Sequence, residues 1–472
     1  MIWILIIGTL HLLGIISALK AVMESRTSQG AIAWVLFLVF VPYLSLIAYW
    51  ILGRSRFEGY LATRHSGDLK TQKRIQELLD DLAPYKLSDR GISRADDAAE
   101  RLAHFPFLRG NSVELLIDGD ATFESIIAGI ERAESYILFQ FFIIKDDQIG
   151  RRIEKHLIAR AESGVKVYLL YDEVGSHKLS SGYKERLEKA GVEVHAFNTR
   201  KGFGNLFQVN FRNHRKVVVV DGKAAWIGGH NVGDEYLGRD PKFGHWRDTH
   251  LKFEGPSVLA AQLSFVEDWF WATDRVIAEA VWRPTPSPDQ DKCVLVVPSG
   301  PADRLETMGL MFHHAINSAE HRIWIASPYF VPDDAIMAAL QLAGLRGVDV
   351  RILIPDKPDH LLVYLAAYTY FEDAARTGVR FFRYTDGFMH QKVMLVDHEV
   401  ATVGTANFDN RSFRLNFEIT AIVEDLNFAR EIEEMLLNDF AHSREMTEKD
   451  IDEMSFAFRL ATRLARLTSP IQ

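Results

Sequence analysis

The chain has 472 residues, enough for two or three domains, and 48% of them are apolar, so it can bury a sizeable core. A net charge of -9 argues against a general polyanion binder such as a nucleic-acid protein. With one cysteine, Cys293, no intramolecular disulfide can form. There is no Cys/His zinc spacing, and Cys293 in the apolar run Cys293–Val297 is expected as a buried small hydrophobe.

Residues 1–53 form the first predicted unit. Ile2 to Leu19 is an almost uncharged apolar run, and Ala31 to Leu52 is another with no charge at all. Each is long enough to cross a ~30 Å hydrocarbon layer as a helix. The first lacks a basic leader and a small-residue cleavage site, so it reads as a span and not as a cleaved signal. The expectation is a transmembrane hairpin, with helices at about 2–19 and 31–52. Basic residues are sparse in the short linker (Lys20, Arg26). They are frequent after the second run (Arg54, Arg56, Arg64, Lys70, Lys73, Arg74), which predicts a cytoplasmic body. Residues 54–108 then read as a charged connector, with helical spacing over Ile75–Leu82.

From about residue 109 the chain repeats itself, as a first half over 109–285 and a second over 286–445. Strand-like Tyr136–Phe142, Val165–Asp172 and Val192–Val194 alternate with helical stretches. Arg322–Ala326, Val348–Ile354 and Val379–Phe381 follow the same order in the second half. Such alternation predicts two α/β sandwich halves, each with a mixed sheet. Each half also carries one polar motif. His214-Arg215-Lys216, Asp221 and Gly228-Gly229-His230-Asn231 match His390-Gln391-Lys392, Asp397 and Gly404-Thr405-Ala406-Asn407 with identical spacing, H-x-K-x4-D-x6-G-[GT]-x-N.

A His and a Lys two apart on a strand share one face. There they suit a phosphate: the ammonium holds negative oxygens while the imidazole attacks phosphorus or moves a proton. Two lysines, Lys216 and Lys392, and two asparagines, Asn231 and Asn407, can stabilise the extra charge of a five-coordinate transition state. A pseudo-twofold pairing of the halves would bring both motifs to one cleft. Each His needs an acid to fix its tautomer. Asp248 follows the first motif and Glu418 the second, and each is expected to orient the His of its own half. Asp221 and Asp397 end their strands beside turn residues and are expected to brace the loop. His230, His245 and His250 are expected to be structural.

Two further stretches join basic and aromatic or apolar residues. The first half holds an extra loop, Asn198 to Asn213, with Arg200, Lys201, Phe203, Phe207, Phe211 and Arg212. Residues 446–472 predict a basic amphipathic helix, with Phe456, Phe458, Leu460, Leu464 and Leu467 alternating with Arg459, Arg463 and Arg466. Each suits a membrane surface or an ordinary protein surface.

The duplicated motif resembles that of the phospholipase D superfamily. Within it the chain is similar to the membrane-anchored bacterial cardiolipin synthases. Trp246–His250, Ser327–Pro332, Arg411–Phe413 and Asn416–Glu418 strengthen the likeness. The resemblance implies a catalytic set of His214, Lys216, Asp221, His390, Lys392 and Asp397, with His214 as nucleophile and His390 as acid/base. It implies no metal and no cofactor, phosphatidylglycerol and other phospholipids as substrates, and a multi-pass protein of the bacterial inner membrane. The expected reaction passes a phosphatidyl group from one phosphatidylglycerol to another through a phosphohistidine. Three alternatives stay open: a hydrolase with water as acceptor, another phosphatidyltransferase, and a non-catalytic scaffold. A scaffold would be expected to have lost one motif.

Overall fold

The computed structural model describes residues 1–25, 27–53, 57, 60, 77–87, 94–197 and 210–472. The first apolar run forms α1 (Ile2–Glu24), 23 residues long. A rise of 1.5 Å per residue makes it about 34 Å, enough to cross the hydrocarbon layer. It is the one helix among the described residues that is long and apolar enough to do so.

The second run departs from the expected single helix. It is divided into α2 (Ser28–Phe40) and α3 (Pro42–Leu52), with Val41 between them at φ -134° and ψ 54°. Pro42 is the cause. It has no N–H to donate, and its ring crowds the carbonyl four residues back, so it begins a new helix instead of continuing the old one. The three helices pack through Ala18, Ala21, Leu38 and Tyr49. Gly14 lets α1 and α2 approach, since a Cβ there would lie 2.5 Å from the Leu38 carbonyl oxygen.

Most of the connector, and all six basic residues after the second run, lie outside the described residues. Of the predicted helical run, 77–82 is helical. Phe57 and Tyr60 are fixed to the body. Phe57 packs against Phe211, Trp271 and Phe417, and the Tyr60 hydroxyl donates to Asp268 at 2.7 Å. After α4 (Arg94–Ala103) the repeated fold begins.

The first repeat contains β1 (Leu108–Ile117), α5 (Asp118–Arg132), β2 (Tyr136–Phe141), α6 (Gln148–Glu162) and β3 (Lys166–Asp172). It continues with α7 (Ser181–Lys189), β4 (Glu193–Phe197), β5 (Val217–Val220), β6 (Ala224–Gly228), β7 (Thr249–Glu254) and α8 (Val258–Thr273). The second contains β8 (Lys292–Ser299), α9 (Thr307–Ser318), β9 (Arg322–Ala326), α10 (Asp334–Leu345) and β10 (Asp349–Pro355). It continues with α11 (Leu361–Ala375), β11 (Arg380–Tyr384), β12 (Val393–Val396), β13 (Val400–Gly404), α12 (Asn410–Arg414), β14 (Asn416–Glu424) and α13 (Leu426–Ala441). Two helices follow, α14 (Glu448–Asp452) and α15 (Phe456–Arg466).

The first half orders its strands β1-β7-β6-β5-β2-β3-β4, and the second follows the same order, β8-β14-β13-β12-β9-β10-β11. In each half three strands are parallel, and the others run antiparallel. The two sheets do not stay separate. β1 pairs antiparallel with β8, and the halves merge into one 16-stranded sheet with a pseudo-twofold axis at that junction. The motif strands β5 and β12 are central and have both faces covered. Burying each valine of β5 contributes about 1.5–3 kcal/mol. Cys293 is buried on β8, as expected.

The residue between His and Lys in each motif points away from them, into a buried polar network. Arg215 donates to Asp268 on α8 at 2.8 Å, and Gln391 donates to Asp439 on α13 at 2.7 Å. Asp439 also takes the guanidinium of Arg247, which belongs to the first half. These buried charges are paired, and removing one partner would leave the other uncompensated.

Candidate active site

Two short strand pairings build the site. Arg212–Asn213, just before the first motif, pairs in parallel with Asn416–Phe417 of the second half. Phe388–Met389, just before the second motif, pairs with Trp246–Arg247 of the first. The register extends one residue further on each side: the His214 N–H donates to the Phe417 carbonyl at 2.9 Å, and the His390 N–H to the Arg247 carbonyl at 2.8 Å.

The residues that follow Phe417 and Arg247 are Glu418 and Asp248, so each acid meets the histidine of the other half. His214 Nδ1 lies 2.9 Å from Glu418 Oε2, and His390 Nδ1 lies 2.7 Å from Asp248 Oδ2. This corrects the expectation that each acid orients the His of its own half. Both carboxylates are fully buried. Either contact favours the tautomer with the proton on Nδ1 and the lone pair on Nε2.

The two acids are held differently. Glu418 also accepts from the Thr405 hydroxyl (2.6 Å), the Ser412 hydroxyl (2.9 Å) and the Asn416 amide (3.1 Å). Asp248 accepts from the Thr249 N–H at 2.8 Å and, more distantly, the Trp246 indole at 3.5 Å. Gly229 stands where the second half has Thr405, and it has to be small. A Cβ there would lie 2.0 Å from Asp248 Oδ1.

Both motif lysines are buried beside their histidines. Lys216 Nζ donates to the His214 carbonyl at 2.7 Å and lies 5.5 Å from the Phe142 ring centroid. Lys392 Nζ bonds the His390 carbonyl and lies 2.8 and 3.2 Å from the two ring nitrogens of His390. Asn231 accepts from the Ile143 N–H at 3.1 Å and donates to the Tyr236 hydroxyl at 3.0 Å. The Asn407 amide oxygen is buried and has no hydrogen-bond partner among the described residues.

Burial, with the nearby ammonium groups, brings the His214 pKa down to about 4. Burial and Lys392 hold His390 well below the ordinary imidazole value, so both rings are neutral at pH 7. Burial brings Lys392 down to about 8, against the pull of Asp248, Glu418 and Asp359, and it also holds Lys216 well below its usual range. Burial pushes the Glu418 carboxyl up, but the His214 and Lys216 charges outweigh it and leave the pKa below the ordinary value. Such a cleft gives an unprotonated nucleophile at neutral pH and concentrates positive charge where phosphate oxygens would sit.

The motif aspartates sit elsewhere. Asp221 and Asp397 lie at the far ends of β5 and β12, with φ of 53° and 50°. Asp221 accepts the N–H groups of Glu134, Ser135 and Tyr136, each at 2.8 Å. Asp397 accepts those of Glu320, His321 and Arg322 at 3.0, 2.7 and 2.9 Å. They tie the motif strands to the starts of β2 and β9, and among the described residues they make no hydrogen bond to the motif histidines, so any part they have in the catalytic set implied by resemblance is through strand position.

His230 and His250 form a buried pair, with Nδ1 atoms 3.2 Å apart. His245 bonds Asp118 at 2.8 Å. Among the described residues no group of three or more His, Cys, Asp or Glu side chains is arranged to hold a metal ion. Thr405 stands in the second motif and Ser412 in Arg411-Ser412-Phe413, but neither pattern says that the two hydroxyls hold Glu418; the places of Phe142 and Tyr236 beside the site have no signal in the sequence.

Two-fold related H-x-K motifs, each completed by an acid from the other half, define a member of the phospholipase D superfamily. The family profile described as "Cardiolipin synthase, PLD-like domain" matches residues 126–241 and 312–440, and one described as "Phospholipase_D-nuclease N-terminal" matches residues 9–54. A protein of Pseudomonas fluorescens named "Cardiolipin synthase A" is 49% identical over 99% of this chain and 98% of its own length. One of the same name from Pseudomonas putida is 50% identical over 99% of this chain and 98% of its own. The chain belongs to the cardiolipin synthase family. The fold is shared with the crystal structure of phosphatidylserine synthase from Haemophilus influenzae, with a TM-score of 0.60 and 16% identity. That match covers 80% of this chain and 100% of the other.

Proposed function

We propose that the protein is a cardiolipin synthase that joins two phosphatidylglycerol molecules and releases glycerol. The observation that carries this reading is the pair of cross-half His–acid contacts beside two buried lysines, in a chain nearly half identical to cardiolipin synthases.

His214 Nε2 attacks the phosphorus of the first lipid. The P–O bond to its headgroup glycerol breaks, and His390 gives that oxygen a proton. His390 then takes the proton from a headgroup hydroxyl of a second phosphatidylglycerol, whose oxygen displaces His214 from phosphorus. Lys216, Lys392, Asn231 and Asn407 hold the non-bridging oxygens throughout. The first step needs a protonated His390. The anionic diester supplies the means, because negative charge brought beside a depressed imidazole raises its pKa.

The two acids differ in their surroundings: Glu418 shares its charge among four donors, while Asp248 makes the shorter contact to its imidazole. Asp248 and Glu418 act as positioning residues.

The apolar N-terminus holds the cleft at the bilayer. α1 spans it, and α2 with α3 forms a return arm bent at Pro42, with the body on the cytoplasmic side. The test is product analysis. Purified protein given labelled phosphatidylglycerol in mixed micelles should yield cardiolipin and glycerol in equal amounts, and His214→Ala or His390→Ala should abolish both. Phosphatidic acid as the sole product would replace the synthase reading with a hydrolase.

A further inference from the structure

α15 sits on the body in an unusual orientation. Its inward side is mostly small, through Ala461, Thr462 and Ala465, with Phe458 at its start. Its outward side carries Phe456, Leu460, Leu464 and Leu467, which are 82%, 49%, 55% and 75% exposed. A helix that packs on a protein by its apolar stripe turns that stripe inward. Here the stripe faces out, and specific bonds fix it there: Arg463 to Glu372 at 2.6 Å, Arg466 to Asp373 at 2.7 Å, and the Phe458 ring on Tyr368 at 5.1 Å between centroids.

Those contacts advance along α15 and α11 together, so the two helices run in the same direction. The Phe456 end of α15 therefore lies toward the start of α11, where Leu361 and Leu362 are 63% and 56% exposed. Just before them stands Asp359. Its carboxylate accepts the Tyr329 hydroxyl at 2.5 Å and its charge acts on His390 and Lys392. The stripe thus extends toward the cleft. At its other end the chain turns back under the site: the Gln472 carbonyl accepts the N–H of Arg411, next to the Ser412 that holds Glu418.

We propose that the outer face of α15, continued by Leu361 and Leu362, is a second membrane contact that seats the cleft on an anionic bilayer surface. Charge complementarity decides the occupant. α15 carries Arg459, Arg463 and Arg466 and no acidic residue, in a chain of net charge -9. Arg463 and Arg466 keep part of their side chains in solvent while paired with Glu372 and Asp373, and Arg459 bonds a backbone carbonyl, that of Ile451. An apolar stripe flanked by guanidinium groups fits the boundary between acyl chains and anionic headgroups. This rests on the lipid-substrate reading, but it concerns how the body meets the bilayer and not the reaction.

The test uses the full chain in proteoliposomes. An environment-sensitive fluorophore is placed by Leu464→Cys, with Lys155→Cys on α6 as control. Quenching by bromine-labelled lipid should be about threefold stronger at 464 than at 155, stronger again when phosphatidylserine is included, and weaker after Arg459→Glu. Equal quenching at both positions would overturn the proposal. So would a lipid-independent spectral shift in detergent that grows with added unlabelled protein, which would mean that a second copy covers the face. A Ser-for-apolar variant at 456, 460, 464 and 467 should lose about tenfold in turnover of bilayer substrate while keeping turnover in micelles. If wild type makes no cardiolipin in micelles, the proposed reaction fails; the quenching result stands apart from it.

Discussion

Glu418→Gln is the sharpest test of the crossed site. Glu418 is fully buried and accepts from His214, Thr405, Ser412 and Asn416. The amide keeps the shape but loses the charge that steadies a cationic His214, and it has N–H groups where only acceptors fit. Opposite charges about 4 Å apart at an effective dielectric near 20 attract by about 4 kcal/mol, a factor of roughly a thousand in rate. An amide N–H facing Nδ1 would also favour the tautomer without an Nε2 lone pair, so kcat should fall about 10³–10⁴-fold. The readout is cardiolipin formed per enzyme from labelled phosphatidylglycerol, with thermal unfolding as the fold control. A stability cycle then tests the pairing: Glu418→Gln should couple to His214→Ala by about 1–2 kcal/mol and to His390→Ala by roughly nothing. Retention of a tenth or more of wild-type kcat, or coupling to His390 instead, would refute the reasoning.

Gly229→Ala should cost about a hundredfold in kcat or more, since its Cβ cannot coexist with the Asp248 carboxylate that orients His390. Asp221→Asn should be a stability variant. It weakens up to three backbone hydrogen bonds, about 1–3 kcal/mol and a Tm loss of several degrees, with kcat changed only a few-fold; a large loss of kcat at unchanged Tm would place the residue back in the chemistry. Attack needs neutral His214, with a pKa of about 4, and charged Lys392, with a pKa of about 8, while His390 must gain its proton as the diester binds; kcat/KM should therefore fall below the first value and fall more steeply above the second. Lys392→Arg should make the alkaline fall shallower while lowering the plateau. His214 binds its proton more weakly folded than unfolded, so stability should be full above pH 6.5 and decline as pH drops toward 4, measured by denaturant unfolding across that range.

Much of this architecture was legible in the sequence, because duplication leaves a strong trace. Two motifs of identical spacing, each inside a run such as Val217–Val220 or Val393–Val396, predict buried strands and paired halves. The crossing of acids was not legible. It depends on parallel pairings only two residues long, 212–213 with 416–417 and 388–389 with 246–247, and segments so short have no periodicity to read. Nor does sequence say that two repeated sheets will share an edge at β1 and β8. Pro42 stands inside the apolar stretch 31–52, and a run can be long enough to span without being one helix. The amphipathic pattern of 456–467 gave the helix but not its outward-facing stripe, which is set by Glu372 and Asp373 on another element.

The crossed acids also govern when, during synthesis, the site can come into being. As the ribosome releases the chain, the N-terminal apolar helix and the whole first repeat emerge well before Glu418. Until then His214 has no carboxylate on Nδ1. On the proposed mechanism, a nascent chain already held at the bilayer would therefore not cut the lipids around it. Reactivity switches on only when translation is nearly complete and the two repeats have closed on each other, so a truncated product is inert by construction.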